Sequence, residues 1–134
     1  MYNEYILNIF ETPANVGMIK NASASSMVAD TKTGEVFRFY IKVEDGVITQ
    51  AKFKTFGGVV AIVASSLTTQ MITDTKVEDL VKFSRKILLN KLGEIPDGQE
   101  YIADLIEDAM TKLYEDFKKK ERLLEKLKQK QAKK

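Results

Sequence analysis

The sequence contains no cysteine and no histidine among its 134 residues. Without cysteine there is no disulfide, no thiolate nucleophile and no cysteine-ligated metal. Without histidine the chain lacks the commonest general base and the commonest neutral metal ligand. Any metal ion would have to be held by oxygen ligands, which suit hard cations. These absences remove the usual nucleophile, the usual base and the soft metal ligands from the chemistry of the chain.

Long apolar runs are missing as well. No stretch of about 18 apolar residues occurs, so the sequence predicts no transmembrane helix. The first four residues do not show a basic segment followed by an apolar block, and we therefore expect no signal peptide and a cytoplasmic location. A length of 134 residues with 44% hydrophobic composition fits one domain with an ordinary core.

The charge of the chain is distributed unevenly. Residues 118–134 contain eight lysines and Arg122 against two glutamates, a net charge of +7. Since the whole chain carries +2, residues 1–117 carry −5. We interpret residues 1–117 as the folded domain and residues 118–134 as a basic helical extension. An acidic body with a basic end that has no aromatic residue for base stacking argues against nucleic acid as the partner.

The first part of the sequence predicts one short helix and three strands. Apolar residues within 2–10 recur at helical spacing, and Pro13 ends that helix. Strands are expected at about residues 24–30, 36–43 and 47–56, the second of which alternates apolar and polar residues clearly. The turns between the strands are short, which makes the sheet antiparallel.

The later part of the sequence predicts only helices. Gly57 and Gly58 break the third strand, and residues 59–72 are apolar nearly all round in their first turns, as in a helix buried against a sheet. A short helix further on is capped by Ser84 and ended by Gly93.

Two capping-box patterns predict two more helix starts. Thr75-x-x-Glu78 begins a short helix, and Asp97-x-x-Glu100 begins the final, long one. Together these elements predict the α+β class: a three-stranded antiparallel sheet packed with helices, ending in a long C-terminal helix.

The final helix carries a heptad seam. Its members are Ile106, Met110, Leu113, Phe117, Lys120, Leu124, Leu127 and Gln131. We expect the first half to pack on the domain and the part beyond about residue 119 to extend past it. We interpret Leu124 and Leu127 as a seam for a protein partner or for self-association. A solvated helix end is the plain alternative, and contact of the basic end with nucleic acid or anionic lipid is the third.

One segment resembles a known family. Residues 53–66 run FKTFGGVVAIVASS, which is similar to the pattern F-K-T-[FY]-G-C-G-x-A-I-A-S-S-S of the NifU/IscU (SufU-like) iron–sulfur cluster assembly scaffolds. Residues 11–17, ETPANVG, match that family's N-P-R-N-V-G loop at four positions, and residues 107–109 match its E-D-A. The resemblance covers roughly residues 1–117 and implies a scaffold fold with a cluster-binding mouth.

The family's ligand positions hold other residues in this sequence. The C-G-D turn before the long strand becomes Thr33-Gly34-Glu35, and the cysteine after the third strand becomes Gly58. The histidine and cysteine before the last helix become Tyr101 and Ile102. Of these residues, only Glu35 could still offer an oxygen to a metal.

The family's chaperone-recognition stretch has changed too. The pattern L-P-P-x-K becomes Ile95-Pro96-Asp97-Gly98-Gln99, without the second proline and with Gln99 in place of the lysine. The resemblance therefore does not carry over the chaperone partner or the lysine that assists sulfur transfer.

Two functional hypotheses follow from these substitutions. The first is a degenerate scaffold homologue that binds no cluster, cofactor or metal and works as a protein-interaction or regulatory paralogue, with a partner from the iron–sulfur assembly machinery as one option. The second is a scaffold that holds iron or a cluster through oxygen ligands or together with a partner's cysteines. An enzyme is not expected, because Ser65 and Ser66 have no histidine base.

Two weaker patterns have simple structural interpretations. Gly57 and Gly58 could cradle an anion, but a tight strand-to-helix turn is the preferred interpretation. Carboxylates such as Glu35 with Asp30, or Glu107 with Asp108, could pair around a hard cation, but we interpret them as solvated charges.

Overall fold

The computed structural model describes residues 2–132. Met1 and the last two lysines of the predicted basic extension, Lys133 and Lys134, lie outside the described residues. The elements in order are α1 (Glu4–Glu11), β1 (Ala24–Ala29), β2 (Val36–Glu44), β3 (Val47–Phe56), α2 (Val59–Ile72), a 3-10 helix (Val77–Lys82), α3 (Arg85–Leu92) and α4 (Tyr101–Ala132). The predicted α+β class, with its three strands and long final helix, is confirmed.

The sheet has the order β1-β2-β3, and both neighbouring pairs are antiparallel. On the central strand Phe37, Phe39 and Ile41 alternate toward the helices and are fully buried. They join residues of α2 and α4 in one hydrophobic core. The inner side of the sheet is therefore covered by helices, while the other side, which we call the outer face, carries the polar half of the alternation.

The extensive burial of α2 follows from its position between the sheet and the other helices. Ten of its fourteen residues are buried. Its buried hydroxyls all find acceptors: Ser65 Oγ donates to the Ala61 carbonyl at 2.8 Å, and Ser66 Oγ to the Ala14 carbonyl at 2.9 Å. These serines serve helix packing, because a buried polar group is tolerated only when it is hydrogen-bonded.

Both predicted capping boxes are wrong. The Thr75 hydroxyl donates to the Ile72 carbonyl and so closes α2, and the next helix is a 3-10 turn without a side-chain cap. The final helix begins at Tyr101, four residues later than predicted, because Gly98 has a positive φ of 84° and interrupts the helical path. The Ser84 cap and the Gly93 stop of α3 are present as predicted.

The long helix α4 has two unlike halves. Ile106, Met110 and Leu113 are completely buried, whereas every described residue from Lys119 onward is exposed. The exposed part, residues 119–132, corresponds to about 20 Å of helix at about 1.5 Å per residue. The heptad seam therefore continues past the core, with Leu124 60% and Leu127 57% exposed.

The junction between β3 and α2 is built on two glycines with different surroundings. A Cβ at Gly57 would stand 2.8 Å from the Ala61 Cβ and 3.0 Å from a carboxylate oxygen of Glu35. A Cβ at Gly58, the N-cap of α2, would meet nothing within 4 Å. Close packing therefore requires glycine only at position 57.

This difference gives a matched pair of substitutions. We expect Gly57→Ala to destabilise the protein by about 1–3 kcal/mol, the usual cost of forcing an extra methyl group into a packed site. Gly58→Ala should change the free energy of unfolding by less than about 1 kcal/mol, because its methyl group points into open space. Urea denaturation of both variants measures the two values. Equal changes in unfolding free energy for the two variants would contradict the close contact of Ala61 and Glu35 with position 57.

Candidate functional site

Three chain segments meet at the edge of the sheet where β2 begins. Because Val36 pairs with Phe56, Glu35 lies beside Gly57 at the strand-to-helix junction. The first residue of α4, Tyr101, reaches the same place from the opposite side. We call this place the mouth and define it by Thr33, Glu35, Gly58, Tyr101 and Ile102, the positions singled out in the sequence.

Glu35 is the centre of the mouth. Its side chain accepts hydrogen bonds from the Tyr101 hydroxyl at 2.5 Å and from the Thr33 hydroxyl at 2.9 Å. The residue is only 9% exposed. The interpretation of Glu35 as a solvated charge is therefore wrong: a carboxylate this deeply buried requires strong donors, and Tyr101 and Thr33 supply them.

Thr33 lies between two carboxylates. Its hydroxyl oxygen is 2.8 Å from Asp30 Oδ2 and 2.9 Å from Glu35 Oε1, and it accepts the Glu35 backbone N–H at 3.2 Å. A threonine has one hydroxyl proton, so it can serve only one of the two carboxylates at a time. Asp30 is therefore part of the same network and not an isolated surface charge.

The hydrogen bond from Tyr101 also affects the acidity of the phenol. The bond to Glu35 raises the pKa of Tyr101 to about 12, with further increases from burial and from the nearby negative charges of Glu35 and Asp30. Ionising the phenol would place a second negative charge against the carboxylate and remove the proton that joins them. Tyr101 is consequently a hydrogen-bond donor throughout the neutral pH range.

The other three predicted site residues take different positions. Ile102 is 1% exposed and belongs to the hydrophobic core. Gly58 leaves open space where a side chain would stand. The Gln99 carbonyl accepts the N–H of Ile102 at 3.2 Å, and no side-chain hydrogen bond of Gln99 is present within residues 2–132. Direct side-chain contacts therefore join Thr33, Glu35 and Tyr101, but not Gly58 or Gln99.

The donor set at the mouth does not fit an iron–sulfur cluster. Thiolates hold such clusters, and the mouth offers carboxylates, a threonine hydroxyl, a phenol and an isoleucine in their place. Among residues 2–132 no group of three or more histidine, cysteine, aspartate or glutamate side chains is placed to hold a metal ion. Glu107 and Asp108 diverge as expected: Glu107 accepts the Arg85 N–H, and Asp108 pairs with Lys112.

The distal part of α4 borders a second feature, an apolar groove of about 550 Å³. Leu123, Leu124 and Leu127 form one wall, and Ala22 and Val43 stand opposite, near the ends of β1 and β2. The sequence pattern identified two of these leucines and missed Leu123, which lies outside the heptad positions but is also 52% exposed. We call the three leucines the leucine seam.

Within residues 2–132, no helix combines the length and the apolar composition that crossing a bilayer requires.

Comparison with known proteins shows the family. The NifU-like N terminal domain matches residues 1–123. The iron–sulfur cluster assembly scaffold protein IscU 1 of Archaeoglobus fulgidus is 32% identical over 129 residues, which is 96% of this chain and 84% of that protein. The iron–sulfur cluster assembly scaffold protein IscU of Escherichia coli is 32% identical over 123 residues, covering 89% and 95% of the two chains.

Solved structures share the fold at lower identity. The N-terminal NifU-like protein from Brucella abortus superimposes with a TM-score of 0.60 at 17% identity, over 84% of this chain and 94% of that one. A SUF-system scaffold protein from Fervidobacterium islandicum, described as putative, gives a TM-score of 0.57 at 15% identity, over 87% and 93%. With the sequence relatives, these likenesses place the chain in the NifU-like N-terminal domain family, together with the IscU-type iron–sulfur cluster assembly scaffolds.

Proposed function

We propose that this protein is a NifU/IscU-like scaffold homologue that carries no iron–sulfur cluster of its own and acts in the cytoplasm by binding a protein partner. The observation that carries the proposal is the donor set at the mouth, which holds no thiolate and in which the Thr33 and Tyr101 hydroxyls both lie on one oxygen of Glu35, Oε1. Glu35, the one family-position residue with a metal-binding oxygen, is engaged by both Thr33 and Tyr101. No thiolate stands at any of the three cysteine positions.

Packing at the mouth supports the same conclusion. Ile102 fills a core position at 1% exposure, so the residue that replaces the family's last cysteine contributes to folding and not to a ligand shell. A buried Leu or Ile side chain stabilises a fold by about 1.5–3 kcal/mol relative to an exposed one. A metal at Glu35 would have to displace the 2.5 Å bond from Tyr101, and desolvating it beside an isoleucine is unfavourable.

The alternative is a scaffold that holds iron or a cluster through oxygen ligands or jointly with a partner's cysteines. One observation favours it. The open space at Gly58 would admit a side chain from another protein at the family's ligand position. The carboxylates of Asp30 and Glu35 lie close by, on either side of the Thr33 hydroxyl.

Reconstitution tests the first proposal. After anaerobic incubation with iron and sulfide and then desalting, we expect the wild-type protein to be colourless and free of stoichiometric iron. The control is the triple variant Thr33→Cys/Gly58→Cys/Ile102→Cys, which returns thiolates to the three family positions. We expect this variant to gain visible absorbance, since thiolates supply what the fold lacks.

A stable coloured wild-type protein would contradict the proposal. So would a fall of the wild-type melting temperature on adding a strong chelator, because a bound structural metal contributes folding free energy. Colour that develops in the wild type only when a cysteine-bearing partner is added would favour the joint-ligand alternative.

The Tyr101–Glu35 bond can be tested through its pH dependence. Tyr101→Phe removes a donor from a mostly buried carboxylate, and we expect a loss of about 1–3 kcal/mol at pH 7. The folded-state pKa of Tyr101 is raised from 10.0 to about 12. The contribution of this bond is therefore complete below pH 10 and is lost as the pH rises toward 12.

Urea denaturation of both proteins between pH 7 and pH 11.5 measures this effect. The difference in unfolding free energy between wild type and variant should shrink above pH 10. Tyr5→Phe, at a 45% exposed tyrosine, is the matched control and should show little difference at any pH. A gap between wild type and Tyr101→Phe that stays constant up to pH 11.5 would contradict the assigned donor.

The partner-binding part of the proposal rests on the leucine seam. Leu124 and Leu127 are more than half exposed, next to the apolar groove at the ends of β1 and β2. Lys120 occupies a seam position, and the surrounding extension carries most of the +7 charge of residues 118–134. Parallel pairing of two such helices would be repulsive, so an acidic partner helix or an antiparallel self-contact fits the seam better.

The double variant Leu124→Asp/Leu127→Asp tests the seam. Since these side chains lie outside the core, we expect a change in stability of less than about 0.5 kcal/mol. We expect loss of self-association in sedimentation or loss of a partner recovered by the wild type in a pulldown. If neither the oligomeric state nor any recovered partner changes, the seam is a solvated helix end.

A further inference from the structure

The outer face of the sheet collects positive charge. Arg38 projects from β2, and Lys52 and Lys54 project from β3, on the side away from the core. Lys42 follows on β2, where its ammonium donates to the Asn21 carbonyl at 3.1 Å and borders the groove beside α4. The strand pairing sets Arg38 opposite Lys54 and places Lys52 opposite Tyr40. Glu44, at the far end of β2 and paired with Val47, is the one acidic residue in an outward position of the three described strands.

These four cations form a positive surface on a domain whose net charge is negative. Residues 1–117 carry −5 in total, so the domain without these four residues carries −9. Among residues 2–132 none of the four cations forms a salt bridge, although six such pairs occur elsewhere, mostly along α4. Four cations against the single outward carboxylate of Glu44 raise the local positive potential and attract an anionic partner.

Exposed apolar side chains lie on the same surface. Phe56 is 74% exposed, the highest value among the large hydrophobic residues of the described chain, and Met27 is 50% exposed. Phe56, Val16 and Met18 border a groove of about 610 Å³ that Arg38 and Lys54 also line. Exposed apolar residues surrounded by polar groups are typical of protein-binding sites.

The neighbouring sheet edge is already engaged by backbone contacts. Phe53 donates its N–H to the Asn15 carbonyl and accepts from the Gly17 N–H, so the loop before β1 covers the edge of β3 at this point. Recognition here would therefore depend on side chains and not on strand addition. From Val36 to Lys42 the face is about 20 Å long at about 3.3 Å per residue, enough for a short segment of a partner.

We propose that this outer face is a docking surface for an acidic protein segment whose apolar side chain enters the groove beside Phe56. Charge complementarity selects the acidic residues, and the groove selects the anchor. Arg38, Lys54 and Phe56 line a different groove from the leucine seam, although Lys42 borders the groove beside that seam. The proposal does not depend on whether the mouth holds a cluster.

Other anionic partners fit the surface less well. Phe56 is the one strongly exposed aromatic residue on this face, whereas single-stranded nucleic acid is held by several stacking side chains. A duplex or an anionic membrane would also approach the surrounding domain, whose charge without the four cations is −9. A short acidic segment avoids that repulsion because it covers only the basic face.

Peptide selection tests the proposal. A phage-displayed library of random dodecapeptides is selected on the immobilised full chain, and the best peptide is synthesised and titrated by fluorescence anisotropy. We expect enrichment of sequences that combine Asp or Glu with an aromatic or aliphatic residue. Arg38→Glu/Lys54→Glu should weaken binding by about tenfold or more, and Phe56→Ser by about threefold or more.

The matched control is Lys126→Glu/Lys128→Glu, which changes the net charge by the same amount on the exposed end of α4. We expect this variant to weaken binding by less than about twofold. Circular dichroism and urea denaturation confirm that all variants are folded, and an Arg38→Lys/Lys54→Arg variant should retain wild-type binding.

Several results would overturn the proposal. One is a library that enriches no acidic peptides, and another is a loss of binding in the α4 control equal to that in the sheet variant, which indicates non-specific attraction. Tighter binding of a 12-nucleotide single strand or of phosphatidylserine vesicles through Arg38 and Lys54 would assign the face to those ligands. Self-association that disappears in Arg38→Glu/Lys54→Glu would assign it to a second copy.

Discussion

A nearly buried carboxylate governs the architecture of the mouth. Glu35 lies between the start of β2, the Gly57 backbone and the first turn of α4, and its charge there requires strong hydrogen-bond donors. Thr33, two residues before Glu35, and Tyr101, 66 residues after it, provide these donors. The same contact joins the start of α4 to the sheet, and the nearness of Glu35 to position 57 explains why glycine stands there. A network of this kind does for the fold what ligand bonds do in a metal site, since it joins separate chain segments through shared polar atoms.

The fold was predictable because its strongest signals are local. Phe37, Phe39 and Ile41 alternate with polar residues, and that period of two allows only one buried face. The Ser84 cap and the Gly93 stop were equally clear, because each acts within one turn of its own helix. The two capping-box predictions were wrong because such a pattern depends on the conformation of the residues within it. A Thr-x-x-Glu pattern specifies a cap only if the intervening backbone is helical, and Thr75 bonded backward to α2 while Gly98 adopted a positive φ.

The site was less predictable because it depends on distant partners. The sequence identified the positions of Thr33, Glu35 and Tyr101 but gave no reason to connect the phenol with the carboxylate, so Glu35 was wrongly interpreted as solvated. Two substitutions could have indicated this contact: Glu35, which is one methylene longer than the family's aspartate, and Tyr101, which stands at the family's histidine position. The basic outer face was missed in the same way. The alternation of the second strand separates Arg38 and Lys42 from its apolar side, yet Lys52 and Lys54 join them only through the pairing register with β3.

The continuity of α4 has a geometric consequence. Its first residue, Tyr101, holds the carboxylate of Glu35, and the same unbroken helix continues to Ala132, about 46 Å further on at about 1.5 Å per residue. Ion pairs such as Lys112–Asp108 and Lys120–Asp116 link successive turns along this length. Between the two ends of the helix, Ile106, Met110 and Leu113 are fully buried and anchor α4 to the core. One continuous helix therefore carries both the hydroxyl donor of the mouth and the leucine seam, so the direction in which the seam projects from the domain is set by how the buried half of α4 packs.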